Sequence, residues 1–234
     1  MYRNPNSLIS LVLVSVVCLA FGTVVQAQLP EPVSFWRFEE GSGDTTEDIG
    51  TGVNPGTLVG SVAFVKDPER GSVLEFGTGE SYVETNAWIT ELGDADFSIA
   101  AWIKTTLDGA TIVSKSSMDK SWSNMEKKLY IAGGGGAPTG AVSYVGYACE
   151  FLWGDTAVTD NQWYHVCVTW DNDTDDGHIY INGVVDDGTP TWYFNGGTGD
   201  NADDRVRIGF GCGGENVTDF EGLMDDLAIF NTSS

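Results

Sequence analysis

"WDNDTDDGHIYING", Trp170 to Gly183, sets aspartates at 171, 173, 175 and 176 ahead of Gly177. It reads either as an oxygen-rich metal loop or as the turn of a β-hairpin. A helix-flanked calcium loop needs oxygen ligands at its first, third and fifth positions, glycine at the sixth and a bidentate glutamate at the twelfth. Counted from Asp171, the sixth position is Asp176 and the twelfth is Asn182, so the register fails twice. The flanks decide the matter. Upstream, Tyr164, Val166, Val168 and Trp170 alternate with His165, Cys167 and Thr169; downstream, Ile179 and Ile181 alternate with His178, Tyr180 and Asn182. A period of two is that of a half-buried strand. Strand, polar turn ending in Asp176-Gly177, strand is a hairpin.

The same grammar extends in both directions. "SFWRFEE", "SVLEF", "SYVET", "FSIAAWIKTT", "ATIVSKS", "KKLYIA", "AVSYVGYACEFLW", "RVRIGF" and "LMDDLAIF" are further strand candidates separated by turn signals. About a dozen short strands without a helical period imply an all-β fold of two packed antiparallel sheets. In "FSIAAWIKT", Phe97, Ile99, Ala101 and Ile103 share one face, and Ser98, Ala100, Trp102 and Lys104 share the wetter one. Core packing claims most tryptophans of a sandwich, so Trp36, Trp102, Trp163 and Trp170 are expected inside. Tyr130, Tyr144, Tyr147 and Trp153 are expected toward a face or rim. The Gly-rich stretches 132–140 and 195–204 are too short for interdomain linkers, which leaves one domain.

Residues 1–27 read as a secretory signal peptide: Arg3, an apolar run from Leu8 to Val25, then "VQA" before Gln28. The domain then spans 28–234, and no later apolar run reaches the roughly 20 residues that cross a bilayer. The expected location is secreted, periplasmic or at the cell surface, without membrane insertion after cleavage. The chain has 11 Lys+Arg against 34 Asp+Glu, a formal charge of −23 that becomes −24 once Arg3 is removed. Such a surface repels phosphate backbones and excludes nucleic acid as a partner. Cys149, Cys167 and Cys212 remain after cleavage. All three pairings are open, and Cys149 with Cys167 is expected first because their strands look sequentially adjacent. Asn172, Asn216 and Asn231 head glycosylation sequons, which would matter in a eukaryotic secretory route.

Taken in order, "WRFEEGSGDTTEDIG", "VLEFGTGESYVE", "DFSIAAWIKT", "TIVSKS", "QWYHVCVTWD", "HIYINGV", "VRIGFG" and "FEGLMDDLAIFN" resemble the laminin G-like jelly-roll domains of the concanavalin A-like lectin and glucanase superfamily. The resemblance implies a two-sheet antiparallel jelly-roll sandwich with its first and last strands side by side. It also implies a structural Ca2+ where the N-terminal segment meets the final strand. The positions that match are Asp48 in "EDIGTG", and Asp225 and Asp226 in "GLMDD". Asp226 stands where the family usually has Glu, and is the shorter arm.

Aromatic planes stack on the apolar faces of sugar rings. Trp122, in the polar "DKSWSNMEKK", and Trp192-Tyr193, beside Gly-rich stretches, are the candidate ligand contacts. Catalysis has little support, since no strand carries the closely spaced carboxylates of a retaining glycosidase and no nucleophile elbow accompanies His165 or His178. The expected protein is therefore a non-catalytic recognition module for a glycan or another extracellular macromolecule such as a protein. The alternatives are a structural or adhesive module without a sugar site and, less favoured, a divergent glycoside hydrolase.

Overall fold

The computed structural model describes residues 30–85, 95–123, 126–146, 150–174, 176–188, 204–213 and 218–232. The signal-peptide region, Cys149, Trp192 and Tyr193 lie outside the described residues. The regular elements are all strands: β1 (Ser34–Trp36), β2 (Thr45–Thr46), β3 (Gly56–Asp67), β4 (Gly71–Thr85), β5 (Phe97–Lys104), β6 (Thr111–Ser116), β7 (Lys127–Ile131), β8 (Ala141–Gly146), β9 (Glu150–Ala157), β10 (Tyr164–Asp171), β11 (Asp176–Ile181), β12 (Val184–Val185), β13 (Arg205–Ile208) and β14 (Gly222–Phe230).

Hydrogen bonding follows the order β12-β11-β10-β5-β14-β4-β13-β6-β7-β8-β9, with β1 on β14 and β2-β3 on β4. Every pairing between strands is antiparallel. β4 turns one layer into the other: Leu74 and Phe76 pair with β14, while Val83 and Glu84 pair with β13. The sheet thus curls into the two layers of a jelly-roll sandwich, with β1 and β14, the first and last strands, side by side (Ser34 opposite Ile229).

The hairpin that opened the reading is β10-β11. Trp170 faces Gly177, and the Asp171 carboxylate accepts the Thr174 N–H at 2.9 Å, which makes the acidic run a turn. A second turn follows at Asn182-Gly183, with φ of 52° and 77°. Two left-handed residues make the type I′ geometry whose twist matches the flanking strands, and Asn-Gly adopts it at least strain. It delivers β12 onto β11.

Alternation produces the core. Phe97, Ile99, Ala101 and Ile103 of β5 and Val166, Val168 and Trp170 of β10 pack against Leu129, Ile131, Val142, Tyr144, Val206 and Ile208 of the other layer. Phe97 and Tyr144 meet with ring centroids 5.3 Å apart. Trp36 and Trp170 are fully buried as expected, but Trp102 and Trp163 are half-buried and outside this cluster. Trp102 occupies the wetter register of β5, and alternation overrides the general preference of tryptophan for the interior. Tyr144 is fully buried and Tyr130 and Trp153 nearly so, against the expectation for a rim.

Cys167 carries a free thiol and so does Cys212. The expected partner of Cys167, Cys149, lies outside the described residues; β10, which carries Cys167, pairs with β5 and β11.

Candidate functional site

The outer side of the second layer carries a row set by register. Glu84 of β4 faces Arg207 of β13, Arg207 faces Ser114 of β6, Ser114 faces Lys128 of β7, and Lys128 faces Val145 of β8. Arg207 is almost fully buried and fixed on three sides. Its Nε donates to Glu84 Oε2 at 2.7 Å, its Nη2 to Oε1 at 3.3 Å, and its Nη1 to the Ser116 carbonyl at 2.7 Å. A fork held this way is oriented before any ligand arrives. Arg205, two residues earlier, is half-exposed and reaches Glu84 Oε1 at 3.3 Å.

The β6-β7 loop forms the wall. Both its ends are tied by the buried Glu126, which accepts the Ser117 N–H and O–H at 2.9 and 2.8 Å and the Ser123 N–H at 2.6 Å. Within the loop, Asp119 accepts the Ser121 and Ser117 hydroxyls and the Ser121 N–H, which pull its pKa down to about 2. Lys120 anchors the loop from above, donating to both oxygens of Asp219 at 2.8 and 3.0 Å. Lys128 anchors it from below. Its Nζ donates to the carbonyls of Cys212 and Gly213 at 2.5 and 2.8 Å and lies 4.5 Å from the centre of the Trp122 ring. Trp122 sits so close over Gly213 that a Cβ there would come within 2.3 Å of its own Cβ. Half-buried and carrying a cation on its ring, Trp122 is a partly available surface. Between loop and sheet, Glu84, Ser116, Ser117, Met118, Asp204, Arg205 and Arg207 line a cavity of about 630 Å³. The sequence reading singled out Trp122 but missed the arginines. "RVRIGF" did hold the signal, because two cations spaced by two on a short strand share its outer face.

The acidic residues expected to bind calcium have other partners. Asp48 is buried, and its Oδ1 accepts the N–H of Phe35 at 2.7 Å and of Gly50 at 2.8 Å, while Oδ2 accepts the Asn54 N–H at 2.7 Å. Asp225 and Asp226 would point to opposite faces of a regular strand. β14 has a register shift between Asp225 and Ala228, with Asp226 at φ 48°, and the bulge turns both carboxylates onto Arg70. Arg70 Nε donates to Asp225 Oδ2 at 2.6 Å and Nη2 to Asp226 Oδ2 at 2.8 Å. Its guanidinium also lies 4.3 Å from the Trp102 ring centre and 5.6 Å from that of Trp163. A calcium needs six to eight free oxygens. These three residues do not fit one: backbone donors use Asp48, and a guanidinium already stands between Asp225 and Asp226. Among the described residues, no group of three or more His, Cys, Asp or Glu side chains is placed to hold a metal.

This seam gives stability a pH dependence. Burial, then repulsion from Asp226, push the Asp225 pKa up to about 6 in spite of Arg70. The unfolded carboxyl titrates near 3.8. A raised folded pKa favours folding where the group is protonated and loses that benefit as pH rises through the folded value. The wild-type chain is therefore expected to gain stability between pH 7 and pH 5. Asp225→Asn, measured by urea unfolding at both pH values, should lose most of that gain; an identical gain would refute the assignment to Asp225.

With fold and site described, kinship follows. The family model described as "Concanavalin A-like lectin/glucanases superfamily" (Laminin_G_3) matches residues 76–233, and the chain belongs to that family. A comparison with curated protein sequences finds no match. Among solved structures it is similar to domain 4 of AbnA, a GH43 extracellular arabinanase from Geobacillus stearothermophilus solved in complex with arabinotriose. The TM-score is 0.62 at 19% identity, over 87% of this chain and 94% of that one. It is similar to the botulinum neurotoxin serotype D binding domain (TM-score 0.59, 16% identity, 87% of this chain and 48% of that one). A Trypanosoma rangeli sialidase mutant with trans-sialidase activity also matches (TM-score 0.52, 14% identity, 87% of this chain and 31% of that one). At these identities the likeness establishes the fold.

Proposed function

We propose that this is an exported, non-catalytic recognition module that binds carbohydrate in the cavity between β13, β6 and the β6-β7 loop. The observation that carries the reading is the composition of that cavity. Its wall offers an oriented guanidinium–carboxylate pair and the thioether of Met118, which is 49% exposed. A sugar hydroxyl both donates and accepts, so adjacent arginine donors and carboxylate acceptors satisfy it at once. The apolar flank of the ring then rests on Met118. A volume of about 630 Å³ lies in the range of roughly 300–1,000 Å³ usual for small-molecule sites. The arabinotriose held by the AbnA domain supports the reading at the level of a shared fold.

An oligosaccharide array with the purified domain tests it. Retention of at least one saccharide is expected, and Met118→Asp should weaken that binding at least tenfold while leaving the melting temperature unchanged. A folded protein that retains no sugar at millimolar concentration, yet captures a protein partner, would replace this reading with the adhesive one.

A further inference from the structure

The hydrogen-bonded path of strands has two ends, β12 in one layer and β9 in the other. Residues 186–188, which follow β12, bond to both layers. Toward β11, Asp186 donates its N–H to the Ile179 carbonyl at 2.8 Å, and Asp187 Oδ1 accepts the Ile179 N–H at 2.8 Å. Toward β9, Asp187 pairs with Gly154 in an antiparallel bridge, and Gly188 donates its N–H to the Trp153 carbonyl at 2.7 Å. The Asp186 carboxylate accepts the N–H groups of Asp155 and Thr156 at 3.1 and 3.0 Å and the Thr156 hydroxyl at 2.5 Å. The fit is close: a Cβ on Gly154 would stand 2.2 Å from Asp186 Oδ2, and one on Gly188 would stand 2.4 Å from Trp153 Cδ1.

We propose that residues 186–188 are a clasp that closes this edge of the sandwich, and that His178 makes the clasp pH-sensitive, tight in acid and looser toward alkaline pH. His178 stands on β11 with Nδ1 2.6 Å from Asp187 Oδ2 and Nε2 3.5 Å from Asp176 Oδ2. Protonated, the ring can donate from both nitrogens and carries a charge between two carboxylates; neutral, it keeps one N–H and no charge. The surroundings give that charge its weight. Segments 150–157 and 176–188 hold Glu150, Asp155, Asp176, Asp186 and Asp187, and no lysine or arginine. From β10 the residue opposite His178 is the uncharged Thr169, and along β11 the Tyr180 ring lies 6.1 Å away. The hydrogen bond to Asp187 outweighs burial and, with the charges of Asp187 and Asp176, raises the His178 pKa. A histidine whose folded pKa lies above the unfolded value near 6.5 adds stability that is complete below that value and is lost as pH rises through the folded one. Release of the clasp would free the Trp153 carbonyl and the N–H groups of Asp155 and Thr156, which lie along the edge of β9.

Hydrogen exchange of the intact chain, read by mass spectrometry at pH 5.5 and 8.5 and corrected for intrinsic rates, tests this. Peptides covering 150–157 and 178–188 are expected to lose protection by about threefold at the higher pH, the scale of a half-exposed ion pair. His178→Gln should remove that pH dependence. Asp225 on β14 also titrates in this window, but across β10 and β5, so its contribution persists in the variant and cancels in the comparison. An NMR titration should place the His178 pKa above 6.5 in the wild-type chain and lower in Asp187→Asn. Melting curves establish that both variants are folded. Equal pH dependence at the clasp in wild type and His178→Gln overturns the proposal, and a wild-type His178 pKa at or below 6.5 overturns it without recourse to a variant.

Discussion

Arg70→Met is expected to lower the melting temperature by on the order of 10 °C at pH 7.5, the equivalent of about 3–5 kcal/mol for a buried ion pair broken from one side. The size follows from what is left behind. The Asp225 side chain is 3% exposed and sits beside Asp226 with Arg70 as its close cation. Without the guanidinium, the buried Asp225 carboxylate is left beside Asp226 without its close cation, and two indoles lose the planar group stacked between them. Methionine keeps much of the volume, so the loss reads as charge and hydrogen bonding rather than a void. The defect should shrink below pH 6, where Asp225 takes up a proton. A variant as stable as wild type at pH 7.5 would show that the seam does not depend on Arg70. Chelator added to the wild-type protein is expected to leave its transition unchanged; a lower melting temperature would restore calcium to the fold.

Asp48→Ala is the second large effect. One carboxylate gathers three backbone N–H groups from Phe35, Gly50 and Asn54, at 2.7 to 2.8 Å. It ties β1 to the 48–54 loop, whose Asn54 carbonyl in turn accepts the indole N–H of the buried Trp36. Hydrogen bonds to an ionised group contribute about 1.5–3 kcal/mol each, and water replaces in part those of the part-buried donors it can reach. Urea unfolding of the variant should show a loss of about 3–5 kcal/mol. Asp48→Asn, which keeps the acceptor but not the charge, should fall between. A midpoint within error of wild type would mean the loop finds other acceptors.

The fold was largely legible because its information is local and repetitive. Alternation in "FSIAAWIKT" and "WYHVCVTW" assigned inner and outer faces correctly, and the failed register at Asp176 and Asn182 identified the turn. Strand order was less accessible, since pairing partners such as Ser34 and Ile229 are brought together by the whole chain. The acidic motif was legible, but its partners were not. "GLMDD" gives no sign that a bulge turns both aspartates to one side, nor that Arg70, 155 residues upstream, is what they meet. The cavity was not legible: Glu84, Arg205 and Arg207 acquire meaning only when β4 and β13 are adjacent, and Trp122, which stood out as an aromatic in a polar run, is not among the residues that line it. Trp192 and Tyr193 lie outside the described residues.

β4 has a consequence beyond the shape of the sheet. A 15-residue strand that pairs with β14 at one end and β13 at the other belongs to both layers. Neither layer can peel away while the other keeps its full ladder, so the sandwich has no natural line along which to open in halves. Stability is shared rather than partitioned between the layers, and partial opening is confined to edge hairpins such as β11-β12. The pairings of β14 with β1, β4 and β5, of β5 with β10 and of β13 with β4 and β6 join residues far apart in sequence, so the chain must close long loops before those contacts reward it. Assembly is correspondingly slow, in the millisecond-to-second range or longer that non-local β topologies show. A chain of this kind spends that interval with its strand edges unpaired, and its surplus of negative charge then serves a second purpose, keeping unfinished copies apart.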